Sequence, residues 1–167
     1  IRPNSSGSGF YIGNGYIATA AHVIAGAKVV SIKTEDGAIA SAKVVAIDEK
    51  MDLAILQTGK RMLPANLYCG LMPVGTPIVA IGNPLGQEFV HSYGRIAGAE
   101  RGIFDRRLYI TDMTTVMGQS GSGVWADGRV IGVISAVMVA PLQVPGSAGQ
   151  YVPSLVGFGY VVPSTLV

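Results

Sequence analysis

The sequence predicts an all-β protein, and three observations lead to that fold class. Short apolar segments follow one another along the chain, separated by glycine, proline and Asn-Gly or Asp-Gly pairs. Helical periodicity is scarce. Of the 167 residues, 49% are hydrophobic and 13% charged, which is typical of a folded chain with a sizeable core. Many short strands joined by such turns favour a barrel or a sandwich.

Five strands are predicted in the first part of the chain. Asn14-Gly15 is a favoured tight-turn pair and joins the first two strands in a hairpin, and Asp36-Gly37 joins the next two. The predicted strands cover residues 9–12, 16–19, 28–33, 38–48 and 53–57. Helical turns are predicted only at residues 20–24 and near Met62.

Six further strands are predicted after a looser stretch at residues 58–73. They cover residues 76–81, 90–99, 108–111, 123–125, 130–138 and 157–162. A pair of six-stranded barrels would need one more strand at the start, and residues 1–4 are barely long enough to supply it. The count therefore predicts that further residues precede Ile1.

Composition gives no signal for a nucleic-acid or membrane partner. The formal net charge is +2 and the basic residues are scattered, which argues against nucleic acid. No apolar run reaches the roughly 18 residues of a membrane span. A single cysteine, Cys69, excludes an internal disulfide and leaves the compartment open. Because the chain begins at Ile1 without a signal peptide, we expect a processed product or an excised domain.

A histidine, an aspartate and a serine, in that chain order, are the candidates for chemistry. A serine hydroxyl is a poor nucleophile near neutral pH and needs an adjacent base, a task that suits histidine. That base in turn needs a carboxylate to orient it. His22 follows a predicted strand, Asp52 opens an apolar segment, and Ser120 lies in Gly118-Gln119-Ser120-Gly121-Ser122. Only tertiary structure can bring the three together.

Glycines around Ser120 allow a sharp turn in which the amides of Gly118 and Ser120 point at one spot, an oxyanion hole. A flexible Gly/Ser linker is the plain alternative, but an apolar strand follows at once. Ser122 is the rival nucleophile, although it lacks a glycine two residues before it.

Other ionisable residues fit these roles less well. Asp48 and Glu49 are alternatives to Asp52, but they lie in a charged turn where a solvated role is expected. His91 lies among strand residues and is expected to be structural. Two isolated histidines do not make a metal site, and no cofactor is expected.

Six segments together resemble the trypsin-like serine proteases of the HtrA (DegP-type) branch. They are Gly7-Ser8-Gly9-Phe10, Ala20-Ala21-His22-Val23, Asp52-Leu53-Ala54-Ile55-Leu56, Ile81-Gly82-Asn83-Pro84-Leu85-Gly86, Gly118-Gln119-Ser120-Gly121-Ser122 and Gly157-Phe158-Gly159-Tyr160-Val161-Val162-Pro163-Ser164. The resemblance implies a chymotrypsin-like fold: two six-stranded antiparallel β-barrels with the active site in the cleft between them. One protease domain would span residues 1–167, with barrels at 1–60 and 76–167 and a connection at 61–75.

The resemblance also implies a serine endopeptidase that forms an acyl-enzyme intermediate with a peptide or unfolded protein substrate. It makes His22 the base, Asp52 its orienting carboxylate and Ser120 the nucleophile, and the amides of Gly118 and Ser120 the oxyanion hole. Ser135 would support Asp52. The implied substrate-binding residues are Thr114, Thr115, Val116, Ser135, Ala136 and Val137, the last three on a strand that pairs with the substrate backbone.

Two departures from the family pattern matter. Gln119 stands where zymogen-activated trypsins carry an aspartate, so activation by a new N-terminus is not expected. Ser122 replaces the usual second glycine.

The pocket segments contain no acidic residue that faces the substrate, which predicts a preference for small or medium apolar side chains. Residues 140–153 are expected to form a long loop beside this pocket.

Alternatives from other classes stay open. A catalytically silent peptide-binding module would keep the same fold, and a protease cut from a viral or phage polyprotein would keep the same chemistry. The location would be extracytoplasmic for a bacterial HtrA-like protein and the host cell for a viral one. The peptide-binding domain and the trimerising N-terminal segment of HtrA proteins are not expected in this chain, which leaves the oligomeric state open. An α/β-hydrolase does not fit, because position 122 is serine and the residue order differs.

Overall fold

A computed structural model of the chain describes residues 6–83, 86–103, 106–114, 118–143, 146 and 151–167. The eleven strands of this structure match the eleven predicted segments, so the all-β prediction is confirmed. They are β1 (Gly9–Gly13), β2 (Tyr16–Thr19), β3 (Val29–Lys33), β4 (Ile39–Asp48), β5 (Leu53–Thr58), β6 (Pro77–Gly82), β7 (Val90–Ile103), β8 (Arg106–Thr111), β9 (Gly123–Ala126), β10 (Arg129–Gln143) and β11 (Tyr151–Pro163). Short 3₁₀ turns lie at Ala21–Ile24 and Ser164–Leu166.

The first five strands form one antiparallel sheet in the order β1-β2-β5-β4-β3. The predicted hairpin between β1 and β2 turns at Asn14 and Gly15, whose φ angles are 53° and 86°. A tight hairpin turn of this kind needs positive φ at both central residues, which explains the Asn-Gly pair. In the residues that the structure describes, this sheet has five strands rather than six, as the strand count indicated.

The other six strands close into an antiparallel barrel in the order β10-β11-β8-β7-β6-β9. Its interior is filled by apolar side chains that alternate along the strands, as expected of a small barrel. The buried interior residues are Ile78, Ala80, Ile96, Tyr109, Met113, Val124, Ala126, Ile131, Ile134 and Val161.

A second apolar cluster contains residues of both sheets and packs the first sheet against the outside of the barrel. Phe10 and Leu53 come from the first sheet, and Val130 and Tyr160 come from the barrel. Ring edges of Phe10 and Trp125 meet here at a centroid distance of 6.0 Å. Burial of this shared surface holds the two sheets in a fixed relation, so side chains at their boundary can form one site.

The prediction of a helical turn near Met62 is wrong. Residues 60–66 form no regular element, because their backbone bonds to both sheets instead. The Ala65 amide donates to the Tyr11 carbonyl at 2.8 Å, and Asn66 accepts from the Val130 amide at 2.7 Å. Pro64 also disfavours a helical conformation at the residue before it.

The prediction of a loop at residues 140–153 is also wrong at residues 140–143 and 151–153, which are strands, and residues 144, 145 and 147–150 lie outside the described residues. β10 and β11 continue as a two-stranded ribbon beyond the barrel, paired from Val139 with Leu155 to Gln143 with Tyr151. Pro141 and Pro153 lie opposite each other in this ribbon. Proline is tolerated at such an edge position because it removes only its own ladder bond.

No helix in the described part of the chain is long and apolar enough to cross a membrane.

Candidate active site

His22 and Asp52 meet at one end of the first sheet. His22 lies in the 3₁₀ turn after β2, and Asp52 directly precedes β5, which pairs with β2. The Asp52 carboxylate accepts from the His22 backbone amide at 3.0 Å, and its Oδ2 lies 2.9 Å from Nδ1 of the ring. These bonds hold the ring through Nδ1, and no hydrogen bond to Nε2 is found among the described residues. The His22 side chain is 51% exposed, so the ring borders solvent.

The Asp52 carboxylate also bridges to the barrel. Asp52 is 7% exposed, and its Oδ2 accepts a hydrogen bond from the Ser135 hydroxyl at 2.5 Å. Ser135 lies on β10 where the pairing with β11 shifts register between Ile134 and Ala136, which is the signature of a β-bulge. The backbone of Asp52 is left-handed, with φ of 57°, a conformation that aspartate tolerates better than most residues. The Ser135 hydroxyl thus contacts the Asp52 carboxylate, which is the contact that the predicted supporting role of Ser135 requires.

Opposing influences act on the pKa of Asp52. Burial raises the pKa of the carboxyl, while hydrogen bonds from the His22 ring, the Ser135 hydroxyl and the His22 amide lower it. The lowering influences win, so the pKa of Asp52 lies below its usual value. The group is therefore ionised in the folded protein at neutral pH.

Because the folded pKa of Asp52 is depressed, its contribution to stability should be complete above the ordinary carboxylate pKa of about 3.9 and should vanish as pH falls through the folded value. We expect the wild type to lose its stability advantage over Asp52→Asn as the pH falls from about 5 through the depressed folded pKa of Asp52. Urea unfolding of both proteins across this range measures the difference. The pKa of Asp36 is lowered too, by bonds from Thr34, Lys60 and Ala38, but Asp36 is common to both proteins. If the free energy of unfolding of both proteins fell equally as the pH was lowered, Asp52 would not have a depressed pKa in the folded protein.

The turn that carries Ser120 has the shape its glycines predict. Gly118 and Gly121 adopt φ of 97° and 87°, in the left-handed region that favours glycine. The Ser122 amide donates to the Gln119 carbonyl at 2.9 Å, and the Gly121 amide donates to the Ile134 carbonyl at 2.8 Å. The turn is therefore closed on itself and fixed to β10.

The Ser120 turn lies against the end of β2, close in sequence to His22. A Cβ at Gly121 would overlap the Ser8 carbonyl oxygen and the Thr19 hydroxyl. Among the described residues, no hydrogen bond joins the Ser120 hydroxyl to the His22 ring. Hydrogen bonds of catalytic groups often form only when substrate is bound. The structure thus joins His22, Asp52 and Ser135 directly and holds Ser120 on an adjoining turn.

The neighbours of Ser120 in this turn are buried. Ser122 has 0% exposure, and its hydroxyl has no hydrogen-bond partner in the described part of the chain. Ser120 is partly exposed, so it is the serine hydroxyl of this turn that solvent reaches. Gln119 is 1% exposed and donates from Nε2 to the Ser92 hydroxyl on β7 at 2.5 Å.

The alternative acids and base lie elsewhere. Asp48 is exposed and accepts a hydrogen bond from the Met51 amide at 2.9 Å, and Glu49 is exposed in the same turn. His91 is exposed on β7, with its ring 6.3 Å from that of Tyr93. Within the described residues, no group of three His, Cys, Asp or Glu side chains could hold a metal ion.

The predicted substrate-binding residues are described only in part. Thr114 is exposed beside the fully buried Met113, whereas Thr115 and Val116 lie outside the described residues. Ala136 and Val137 follow Ser135 on β10, where the backbone pairs with β11 on one side. On the other side β10 pairs with β9 as far as Val133, and Ile134 bonds to Gly121 and Ser122 of the Ser120 turn.

One group of residues at this site was not assigned a role from the sequence. Ser8 lies in the segment Gly7-Ser8-Gly9-Phe10, and its backbone and its hydroxyl both contact the Ser120 turn. Thr19 donates to the Ser8 carbonyl at 2.6 Å. The only sequence signal for Ser8 was its position between two glycines.

Comparison with known proteins places this geometry in a family. A profile of the trypsin-like peptidase domain matches residues 7–133. A probable periplasmic serine endoprotease, DegP-like, from Chlamydia muridarum is 32% identical over 96% of this chain and 32% of its own length. The putative serine protease HhoB from Synechocystis is 35% identical over 81% of this chain and 35% of its own length. The chain therefore spans about a third of the curated relatives it matches.

A solved structure has the same fold. The HtrA-type protease AlgW with a decapeptide superimposes with a TM-score of 0.80 at 28% sequence identity. The similarity covers 96% of this chain and 48% of that chain. The predicted similarity to HtrA-type proteases and the predicted fold class are both confirmed by these matches.

Proposed function

Because the chain belongs to the trypsin-like peptidase family, in its HtrA (DegP-type) branch, we propose that it is a serine endopeptidase with His22, Asp52 and Ser120 as its catalytic residues. The observation that carries the proposal is the His22–Asp52 pair, whose ring nitrogen and carboxylate oxygen are 2.9 Å apart beside the partly exposed Ser120. The buried, ionised carboxylate fixes the ring tautomer in which Nε2 can accept a proton.

The proposed reaction has two halves. His22 Nε2 takes the Ser120 hydroxyl proton while the oxygen attacks the substrate carbonyl carbon, and Asp52 stabilises the imidazolium that forms. The amides of Gly118 and Ser120 donate to the oxyanion. The imidazolium then protonates the leaving amine as the C–N bond breaks, which gives the acyl-enzyme. Water repeats the sequence, with His22 as base, and releases the acid and free Ser120.

We propose that the substrate is an extended peptide or a loop of an unfolded protein, which adds to the edge of β10 at residues 135–137. The decapeptide named with the AlgW structure supports a peptide substrate, and the place on β10 is the one that the family resemblance implies. The uncharged pocket segments favour a small or medium apolar side chain before the cleaved bond. Periplasmic relatives support an extracytoplasmic location.

A fluorophosphonate probe tests the proposed function, because it labels only an activated serine. We expect the wild type to be labelled, Ser120→Ala to lose the label completely and Ser122→Ala to keep it. Ser122→Ala is the matched control because it removes a hydroxyl two residues away that is buried without a partner, a change expected to leave stability unchanged or raise it. A folded wild type that never labels would identify a silent peptide-binding module instead.

A further inference from the structure

We propose that Ser8 is a positioning residue for the oxyanion hole, acting through the peptide planes of the Gly118–Gly121 turn. The proposal rests on the proposed function and concerns a residue outside the catalytic three. Ser8 directly precedes β1 and is partly buried between the two sheets. Its amide, its hydroxyl and its carbonyl each make a hydrogen bond to a segment of the site.

The hydroxyl of Ser8 has a defined direction. The backbone N–H of Asn83, which can only donate, lies 3.1 Å from Ser8 Oγ, so the Ser8 oxygen accepts a hydrogen bond there. The hydroxyl proton is then donated to the Gly118 carbonyl, at 2.9 Å. Asn83 is itself fixed, because its side-chain oxygen accepts from the Phe89 amide at 3.0 Å. Ser8 therefore connects Asn83, directly after β6, to the turn that carries Ser120.

Fixing the Gly118 carbonyl orients the turn. The carbonyl of Gly118 lies in one rigid plane with the Gln119 amide, and the two backbone dihedrals of Gly118, of which φ is 97°, then set where the Gly118 amide points. The second donor, the Ser120 amide, shares a plane with the Gln119 carbonyl, which the Ser122 amide holds at 2.9 Å. Ser8 thus supports the first donor, and the turn itself supports the second.

The backbone of Ser8 fixes the position of the turn relative to His22. The Ser8 amide donates to the Ser120 carbonyl at 2.9 Å, and the Ser8 carbonyl accepts from the Thr19 hydroxyl at 2.6 Å. Thr19 ends β2, three residues before His22. These backbone bonds survive any side-chain change at Ser8. A Ser8 variant therefore tests the hydroxyl alone.

The arrangement also explains a glycine at the end of β6. A Cβ at Gly82 would overlap the Ser122 hydroxyl and would come within 3.0 Å of Ser8 Oγ. Glycine at position 82 leaves space for the Ser8 hydroxyl to reach both of its partners.

The test compares Ser8→Ala with Ser6→Ala, a matched control at an exposed serine two residues earlier. Active-site titration counts functional sites, so the peptide hydrolysis rate can be expressed per titrated site. We expect Ser8→Ala to lower kcat per site by about 10-fold to 100-fold, with KM within about 3-fold, because misdirected donors weaken only transition-state binding. A peptide aldehyde, whose adduct places an oxyanion in the hole, should lose affinity by a similar factor. Ser6→Ala should match the wild type.

A structural role alone would lower the number of titrated sites and leave kcat per site unchanged, which would overturn the proposal. Equal loss in kcat and in ground-state peptide binding would overturn it too. If Ser8→Ala does not fold, Ser8→Cys is the second variant, because a thiol of similar size is a weaker donor and should lower kcat per site. A folded wild type that neither titrates nor hydrolyses peptides would overturn the proposed function and this inference together, whereas an active wild type with an unaffected Ser8→Ala overturns this inference alone.

Discussion

Replacing Ser120 or His22 by alanine is expected to lower kcat/KM for peptide hydrolysis by on the order of 10⁴–10⁶-fold, with the fold intact. Ser120 supplies the attacking oxygen and His22 accepts its proton, so either change removes the same step. Both side chains reach solvent, and neither belongs to the apolar clusters, so thermal unfolding should change little. Initial rates on a peptide substrate and a melting curve measure the two quantities.

The double variant distinguishes a cooperating pair from two separate contributions. Ser120→Ala with His22→Ala should be no slower than either single variant, because residues that act as a unit lose their effect together. His91→Ala is the matched control for the imidazole and should keep full activity, since His91 lies exposed on β7. Near-wild-type activity in either single variant would refute the catalytic assignment, as would additive losses in the double variant.

Local chemistry accounts for the parts of the fold that the sequence predicted well. Each tight turn needs residues that accept positive φ, and Asn14 and Gly15 provide them, so strand ends are marked in the sequence itself. The β10–β11 ribbon carries one such mark, Gly146 with φ of 80°, but its strands also contain prolines. Pro141 and Pro153 signal a break in a central strand, and only the pairing of the ribbon outside the barrel makes them tolerable.

The residues of the candidate site also fall into those that the sequence predicted and those that it did not. The chain order and the flanking residues identified His22, Asp52 and Ser120 because each role demands a particular side chain. Ser8 and Gln119 were missed as contacts because a hydroxyl or an amide can bond to almost any neighbour. The bond from Ser8 to Gly118 joins residues 110 apart, and no periodicity in the sequence marks a contact at that separation. Such bonds are evident only once the two sheets are packed together.

The bonds that assemble the site cross the boundary between the two sheets. Asp52 of the first sheet accepts from Ser135 of the barrel, and Ser8 before β1 donates to Ser120 and Gly118. The apolar cluster that contains Phe10 and Val130 lies at the same boundary. Packing between the sheets therefore sets the relative positions of base and nucleophile, so a change at that boundary alters the site without contacting a substrate.

Replacing Asp52 by asparagine is expected to lower kcat by about 10⁴-fold while the fold persists. Asparagine accepts the left-handed backbone of this position and is nearly the same size. The His22 backbone amide donates to Oδ1, so that atom must stay an oxygen, and the new NH₂ group takes the place of Oδ2. It then donates toward ring Nδ1, which moves the ring proton to Nε2. A protonated Nε2 cannot take the proton of Ser120.

Asp48→Asn is the matched control, because it makes the same chemical change four residues away at an exposed carboxylate that accepts a hydrogen bond from the local Met51 amide. It should keep wild-type kcat. The ring tautomer of His22 in each protein can be assigned by ¹⁵N NMR, which separates a tautomer change from a general loss of structure. Suppose that Asp52→Asn keeps both the wild-type kcat and the Nδ1-protonated ring. Asp52 would then not orient the base, and it would not be a catalytic residue.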